Sequence, residues 1–443
     1  MHKALTIAGL DSGGGAGIIA DIKTFSALGV WGMAAVTSIT AQNTVGVLGI
    51  QDLPTEMIKL QIRAVVEDIG VDAAKTGMLH TVEIMNAVAE EIYNYDIPLI
   101  VDPVMIAKSG AKLMSDDAKE TLIKRLIPLA KVLTPNIPEA EEISGIKIKS
   151  IEDMEKAAKY IVDELGCKSV LLKGGHLQGK ESLDILYYNG KYYRFSTQRI
   201  ITKNTHGTGC TYSAAITAEI AKGKNIVDAV KVAKEFIYIS ILYGLNIGKG
   251  HGPVNHMAWI YREAQRYEIL KELERALERI ESNEKYVKLV PEVGMNIALA
   301  SSYAVDKNDI AAIPGRIRKA KGKARACCYP DFGASHHLAS YILMARQYDK
   351  DIRAAINIKY DEEILDKLRI SGLIISSFDR SKEPEEIRNI EGMTIPWGTK
   401  EAIKKVGRVP DVIFHRGDVG KEPMIVILGR DIRKLLEILE SLA

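Results

Sequence analysis

At 443 residues the chain is too long for one ordinary core and suggests two or three domains. Its composition, 47% hydrophobic and 26% charged with a net charge of +2, is that of a soluble globular protein and gives no reason to expect a nucleic-acid partner. Four cysteines (Cys167, Cys210, Cys327 and Cys328) form no CxxC pair or disulfide ladder, Asp11 interrupts the apolar start, and no apolar run reaches the ~20 residues that cross a bilayer, so a cytoplasmic protein without membrane partners is expected.

Residues 4–9 read as a short apolar strand running into Gly9-Leu10-Asp11-Ser12-Gly13-Gly14-Gly15-Ala16-Gly17, and residues 18–27 as a helix carrying Asp21 and Lys23. The loop lacks the Lys-Ser/Thr of a P-loop and the spacing of GxGxxG, and reads as a turn that lets a small substrate approach the backbone. Further apolar strands are expected at residues 33–39, 71–75, 98–101, 131–134 and 169–173, with helical spacing over 54–69. Continuous Val/Ile/Leu strands separated by helices predict a doubly wound, mostly parallel α/β sheet covered on both faces. Polar residues gather at the strands' C-terminal ends, where such sheets bind ligands: Thr40 to Thr44, Thr76-Gly77-Met78-Leu79, Asp102, Asn136 with Glu139, and Lys173.

Each of these has a structural reading beside the functional one. Asp102 before a proline caps a turn or holds a metal, Asn136 and Glu139 start a helix or face a ligand, and Lys173 is a strand-end lysine or a phosphate contact. The stretch Asn204-Thr205-His206-Gly207-Thr208-Gly209-Cys210 then feeds an apolar helical run from Tyr212 to Ala221. Unpaired N–H groups and the helix dipole make Gly207, Thr208 and Gly209 a candidate anion hole for phosphoryl transfer, with a plain glycine turn as the alternative. Asp102, Glu139 and Lys173 ahead of such a hole favour a nucleotide–metal site.

His251-Gly252-Pro253-Val254-Asn255 closes this domain, and residues 259–282 read as one long charged amphipathic helix; the boundary is placed so that the domains are 1–262 and 263–443. A second, smaller α/β domain follows, with strands expected at 296–300, 352–358, 373–376, 412–414 and 424–428 and helices at 335–348, 362–369, 401–406 and 431–442. Residues 314–325 carry Arg316, Arg318, Lys319, Lys321, Lys323 and Arg325, and Asp331-Phe332-Gly333-Ala334-Ser335-His336-His337 leads into a helix with Ser335 as its N-cap. Cations beside a helix N-terminus suit a phosphorylated ligand; taken alone the run is a solvated basic loop. His336 and His337 have no third metal ligand at useful spacing.

Residues 1 to about 260 resemble the hydroxymethylpyrimidine and hydroxymethylpyrimidine-phosphate kinases of thiamine synthesis, within the ribokinase-like superfamily. The matching runs are Ile7-Ala8-Gly9-Leu10-Asp11-Ser12, Gly15-Ala16-Gly17-Ile18, Ala20-Asp21-Ile22-Lys23-Thr24, Ile39-Thr40-Ala41-Gln42-Asn43-Thr44, Lys75-Thr76-Gly77-Met78-Leu79, Val101-Asp102-Pro103-Val104-Met105, Leu133-Thr134-Pro135-Asn136, Lys173-Gly174-Gly175-His176 and His206-Gly207-Thr208-Gly209-Cys210. The resemblance implies ATP-dependent phosphorylation of 4-amino-5-hydroxymethyl-2-methylpyrimidine and then of its monophosphate. It places Gly9, Asp11, Ala16, Gln42, Met78 and Val104 around the pyrimidine, and it assigns Asp102, Asn136 and Glu139, with Lys173 nearby, to Mg²⁺ and the ATP phosphates. Most ribokinase relatives carry an aspartate at the position of Cys210; a helix N-terminus lowers a thiol's pKa, so Cys210 is a candidate base, with a buried structural cysteine as its rival. Pyridoxal kinases share the fold, and Gln42 with Met78 argue against that substrate.

Residues 270 to 443 resemble the archaeal-type thiamine-phosphate synthase domain, through Val293-Gly294-Met295-Asn296, Pro314-Gly315-Arg316-Ile317, Phe332-Gly333-Ala334-Ser335-His336-His337, Ser377-Phe378-Asp379-Arg380 and His415-Arg416-Gly417-Asp418-Val419-Gly420-Lys421-Glu422-Pro423. It implies condensation of the pyrimidine diphosphate with hydroxyethyl-methylthiazole phosphate. Arg316 and His337 are then expected to be the cations facing pyrophosphate, and Arg380, Arg416 and Lys421 to bind phosphate. Asn296 is expected to orient ligand, and Asp379 or Asp418 to hold Mg²⁺. The alternative is a thiamine-phosphate-sensing domain, which this domain type also forms when attached to DNA-binding regulators. A homo-oligomer is expected, since this kinase family commonly dimerises.

Overall fold

The computed structural model describes residues 1–106, 110, 113–114, 117–418 and 420–443, so Val419 of the 415–423 run lies outside them. The chain divides into two compact units, Met1–Ile260 and Tyr261–Ala443.

The first unit is built on a nine-stranded sheet. Its strands are β1 (Lys3–Asp11), β2 (Trp31–Gln42), β3 (Val47–Asp52), β4 (Ala73–Thr76), β5 (Leu99–Val101), β6 (Ala130–Leu133), β7 (Ser169–Lys173), β8 (Glu181–Tyr188) and β9 (Lys191–Gln198). The order is β3-β2-β1-β4-β5-β6-β7-β8-β9, with β2 through β7 parallel and β3, β8 and β9 added antiparallel at the edges. Alternation along each strand feeds two cores. Leu5, Ile7, Leu99, Val101 and Leu172 pack on one face, and Ala4, Ile100, Val132 and Leu171 on the other. The strand order reverses at β1 and β4, and the crevice beyond their C-terminal ends holds the polar residues of the Asp11, Thr76 and Asp102 loops.

The second unit has a seven-stranded, mostly antiparallel sheet: β10 (Asn296–Ala300), β11 (Ile310–Ala312), β14 (Asp331–Phe332), β15 (Ala354–Lys359), β16 (Ile375–Ser377), β17 (Val412–His415) and β18 (Met424–Gly429), with β12 (Ile317–Ala320) and β13 (Lys323–Ala326) as a separate hairpin. One face is covered by the helices Arg266–Ser282, Glu362–Ile370 and Ile432–Leu442, the other by His336–Arg346 and Thr394–Val406.

Two expectations are corrected here. The long helix expected over 259–282 is two helices, Met257–Ala264 and Arg266–Ser282. Between them the side-chain oxygen of Gln265 accepts from Ser301 Oγ at 3.0 Å and Ser302 N at 2.9 Å. The basic run is not a loop but the β12–β13 hairpin, turned by Lys321 and Gly322 with φ of 48° and 78°, the left-handed pair that matches strand twist.

Candidate active sites

In the first unit the glycine loop after β1 is folded by Asp11. Its Oδ1 accepts from Gly13 N at 2.8 Å, and its Oδ2 accepts from Gly15 N at 3.1 Å, Ala16 N at 2.9 Å and His206 Nε2 at 2.9 Å. Burial raises this carboxyl, but His206 and the amides outweigh it and hold Asp11 below the usual carboxylate range. Asp11, expected to contact the pyrimidine, therefore spends both oxygens shaping the loop, and His206, which had no assigned role, ties that loop to the second glycine turn. The two turns meet backbone to backbone: a Cβ on Gly207, whose φ is 78°, would lie 1.8 Å from Gly15 O. Only glycine fits there.

Gly207 caps the helix Thr208–Ala221, and Gly17 N donates to Cys210 Sγ at 3.4 Å on its first turn. The expected lowering of the Cys210 thiol does not occur. Burial pushes it up to about 12; Lys75 pulls it down, while Asp21 and Asp102 push it up. Burial and the two carboxylates outweigh Lys75 and the Gly17 amide. Lys75 itself is fully buried on Asp21 Oδ1 at 2.9 Å, and Thr6 Oγ1 donates to Asp21 Oδ2 at 2.7 Å. This pair was not singled out in the sequence; a lysine in an apolar strand and an aspartate on an apolar helix face were the available signals.

Beside Gly209, whose Cβ position lies 3.5 Å from Lys173 Nζ and 3.6 Å from Asp102 Oδ2, the strand ends converge. Asp102 accepts from Lys173 at 3.1 Å, Thr134 at 3.2 Å and Ser213 at 3.2 Å. Asn136 and Glu139 form a reciprocal capping box on the helix Ile137–Ser144, with Glu139 N donating to Asn136 Oδ1 at 2.9 Å and Asn136 N to Glu139 Oε2 at 2.8 Å. Asn136, expected to contact nucleotide, has its side-chain oxygen occupied by this cap. Burial and then Asp102 push Glu139 up to about 7, against the pull of Lys173. Two neighbouring carboxylates, one of them held partly neutral, fit a divalent cation, which would favour their charged forms. Gly9 makes room for Met78, since a Cβ there would lie 3.1 Å from Met78 Sδ. Gln42 is half-buried, its backbone N donating to Ser12 Oγ at 2.9 Å, and Val104 N donates to Asp102 O at 2.9 Å.

In the second unit a cavity of about 620 Å³ is lined by Asn296, Gly315, Arg316, Arg318, His336 and His337 among others. Gly315 and Arg316 both hold left-handed backbone, at 71° and 68°, and Arg316 Nη1 donates to Val293 O at 2.8 Å. Ser335 caps the helix His336–Arg346, accepting from Leu338 N at 3.4 Å. A helix N-terminus, Arg316 and Arg318 thus face one cavity, an anion site. His337 is not the expected cation. Burial, then Arg316 and Arg380, push it down to about 4, so at neutral pH it offers a neutral imidazole.

Asn296 does not have a free side chain for a ligand either: its Nδ2 donates to Ile313 O at 2.9 Å and its Oδ1 accepts from Ile313 N at 3.0 Å, fastening β10 to the turn that carries Arg316. Arg416 is exposed and bound to Glu362 at 3.1 Å and Tyr360 OH at 3.1 Å; neither it nor exposed Lys421 lines the cavity. Asp379 accepts from Ser381 N at 3.0 Å as a turn cap, and among the described residues no group of three or more His, Cys, Asp or Glu is placed to hold a metal. Asp418 N donates to Lys421 O at 3.1 Å, and its carboxylate is not part of the cavity wall.

Residues 11–255 match the phosphomethylpyrimidine kinase family, and residues 272–441 match thiamine-phosphate synthase ThiN. The chain is 47% identical over 270 residues to a hydroxymethylpyrimidine/phosphomethylpyrimidine kinase of Staphylococcus aureus (strain MSSA476), covering 60% of this chain and 98% of that protein. It is 48% identical over 256 residues to the thiamine biosynthesis bifunctional protein ThiED of Geobacter sulfurreducens, covering 58% of this chain and 52% of that protein. Among solved structures, an ADP complex of Bacillus subtilis pyridoxal kinase aligns with a TM-score of 0.55 at 41% identity, over 58% of this chain and 98% of that one. The first unit is a ribokinase-like fold. By its family match and its paired strand-end site the chain belongs to the phosphomethylpyrimidine kinase family, with a thiamine-phosphate synthase domain as its C-terminal part.

Proposed function

We propose that the chain performs consecutive steps of thiamine synthesis. ATP phosphorylates hydroxymethylpyrimidine and its monophosphate in the first unit; the second joins the resulting diphosphate to thiazole phosphate, releasing pyrophosphate. One observation carries this reading: a kinase match and a synthase match lie in one chain, each on its own compact unit, and the product of one reaction is the substrate of the other.

In the kinase the turn Gly207, Thr208 and Gly209 at the helix N-terminus would face the charge that develops on the transferred phosphoryl group, and Lys173 neutralises the phosphates. Cys210 takes the substrate hydroxyl's proton as the thiolate, a minor form at neutral pH that Lys75 favours. Glu139 and Asp102 would hold Mg²⁺, which supplies charge neutralisation of the ATP phosphates when bound. Gly9, Ala16, Gln42, Met78 and Val104 would enclose the pyrimidine, with the loop held open by Asp11. In the synthase, Arg316 and Arg318 stabilise the departing diphosphate while neutral His337 donates a hydrogen bond to it. No described helix is long and apolar enough to cross a membrane. A cytoplasmic homo-oligomer fits both activities.

The test is a coupled assay on the purified chain with ATP, Mg²⁺, hydroxymethylpyrimidine and thiazole phosphate. Thiamine phosphate is the expected product. Pyrimidine diphosphate accumulating alone would make the second unit a sensor. The likeness to a pyridoxal kinase adds pyridoxal as a competing substrate; turnover of pyridoxal with none of the pyrimidine would overturn the substrate assignment.

A further inference from the structure

In the first unit the turn that follows β7, residues 174–181, is gathered around one side chain. Arg199, the residue after β9, donates Nε to Gly179 O at 2.9 Å and Nη1 to Gly175 O at 2.8 Å; its Nη2 donates to Glu181 O at 3.0 Å and to Leu177 O. Its backbone N donates to Lys180 O at 2.8 Å. Four of the five guanidinium N–H groups therefore go to carbonyls of one turn. Gly174-Gly175-His176-Leu177-Gln178-Gly179-Lys180 has few apolar side chains to fix its path, and its glycines leave the backbone free to vary. Arg199 supplies the order that such a sequence does not.

The start of the turn is held from a second direction. Gly174 N donates to Asp184 Oδ1 at 2.9 Å, and a Cβ on Gly174 would lie 1.9 Å from Leu183 O, so the turn presses on β8. Asp184 Oδ2 accepts from Lys234 Nζ at 2.7 Å and from Tyr212 OH at 3.1 Å, and all three residues are buried. Lys234 stands on the helix Ile226–Leu242, and Tyr212 on the helix Thr208–Ala221, two residues past Cys210. One carboxylate thus ties the residue after Lys173 to the helix whose N-terminus is the candidate anion hole. Lys173 is also fixed at its backbone, where its N donates to Pro135 O at 2.9 Å.

The place of the turn in the sheet decides which substrate it serves. In the order β1-β4-β5-β6-β7, at about 4.8 Å per strand, the end of β7 lies roughly 10 Å from that of β5, which Asp102 follows, and roughly 19 Å from that of β1, which carries Gly9. A nucleotide reacting beside Asp102 would reach β7 with its non-reacting part, whereas the pyrimidine side is four strands away. A glycine-rich turn ordered only on binding would charge that ordering against affinity. We propose that Arg199 and Asp184 are positioning residues of the kinase: they preform the turn 174–181 for the non-reacting part of ATP and hold Lys173 in register with the Gly207–Cys210 turn. Both act through the backbone and not on the reacting atoms. The assignment rests on the kinase reading above.

The test uses the full chain with Arg199→Met, which keeps the stem and removes the donors, and Tyr212→Phe, which removes one tie to Asp184 without changing charge. Arg199→Met is expected to raise KM for ATP by about tenfold, with kcat at saturating ATP and KM for hydroxymethylpyrimidine each within about twofold. Arg199→Lys, an ammonium in place of the planar fork, should restore part of the affinity, and Tyr212→Phe should show the same split to a smaller degree. A merely loosened fold would raise both KM values alike. That result, or an unchanged KM for ATP in Arg199→Met, overturns the assignment. Calorimetric binding of ADP separates it from the kinase reading. If the wild-type chain phosphorylates no pyrimidine yet binds ADP, and Arg199→Met weakens that binding about tenfold, the substrate reading fails and the positioning role stands. If the wild type phosphorylates the pyrimidine and Arg199→Met binds ADP equally well, the positioning role fails alone. A wild-type chain that binds no ADP overturns both.

Discussion

The two units treat buried charge in opposite ways. In the kinase unit every charge near the reacting groups has a partner within the fold: Lys75 with Asp21, Lys173 with Asp102, Asp11 with His206. In the synthase unit Arg380 has none among the described residues, and Arg316 has only a backbone carbonyl. A kinase must position a nucleotide, a metal and a nucleophile while negative charge is redistributed among them, and an internal lattice of pairs keeps the site rigid through it. A site whose ligands are all anions can leave its cations uncompensated and let substrate complete them.

The largest expected effect breaks the paired side. Lys75→Met strands Asp21 in a fully buried position and is expected to cost about 3–5 kcal/mol, read as a lower thermal midpoint of the first unit, whereas the double change Lys75→Met with Asp21→Asn should recover most of it. Should the single variant unfold no earlier than wild type, the pair is not an ion pair. Next comes Cys210→Ala, expected to lower kinase turnover by about 10²–10⁴-fold while synthase activity with supplied diphosphate is unchanged. An unaltered kinase rate would remove Cys210 from the chemistry.

On the unpaired side Arg316→Ala is expected to lower synthase turnover by about 10²–10³-fold and spare the kinase. Loss of both activities together would point to misfolding instead. The smallest effects are in pH. With its thiol at about 12, Cys210 should make kinase kcat rise with pH through the neutral range, and a plateau below pH 8 would assign the base elsewhere. His337 and His415 both lie at about 4 in the fold against about 6.5 unfolded. Between those values the unfolded chain binds more protons, so stability of the second unit is full above pH 6.5 and falls as pH drops toward 4. Replacing both by Gln should flatten that fall in a denaturation series.

Much of the architecture was legible along the chain. The strand at residues 169–173 and the strand at 296–300 coincide with β7 and β10, because a run of apolar residues bounded by polar or glycine residues is a local signal. The edge strands β3, β9 and β14 and the inner strands β8 and β11 were not among the expected strands; edge strands half-exposed on one face lack that continuous apolar run, Asp184 interrupts β8, and β11 is only three residues long. The hairpin in the basic stretch was hidden for the same reason, since Arg318, Lys319, Lys323 and Arg325 mask the alternation.

The sequence by itself determined the local pieces from which the sites are built: two glycine turns, polar residues at strand ends, and Ser335 ahead of a helix, each set by neighbours within a few positions. Whether those groups carry charge was decided only in three dimensions. The thiol of Cys210 goes up, the imidazole of His337 goes down, and Asp11 turns inward to His206, 195 residues away. Local structure depends on propensity and capping, which act over one turn or one strand. Protonation and pairing depend on burial and on charges that only tertiary packing brings within a few ångströms.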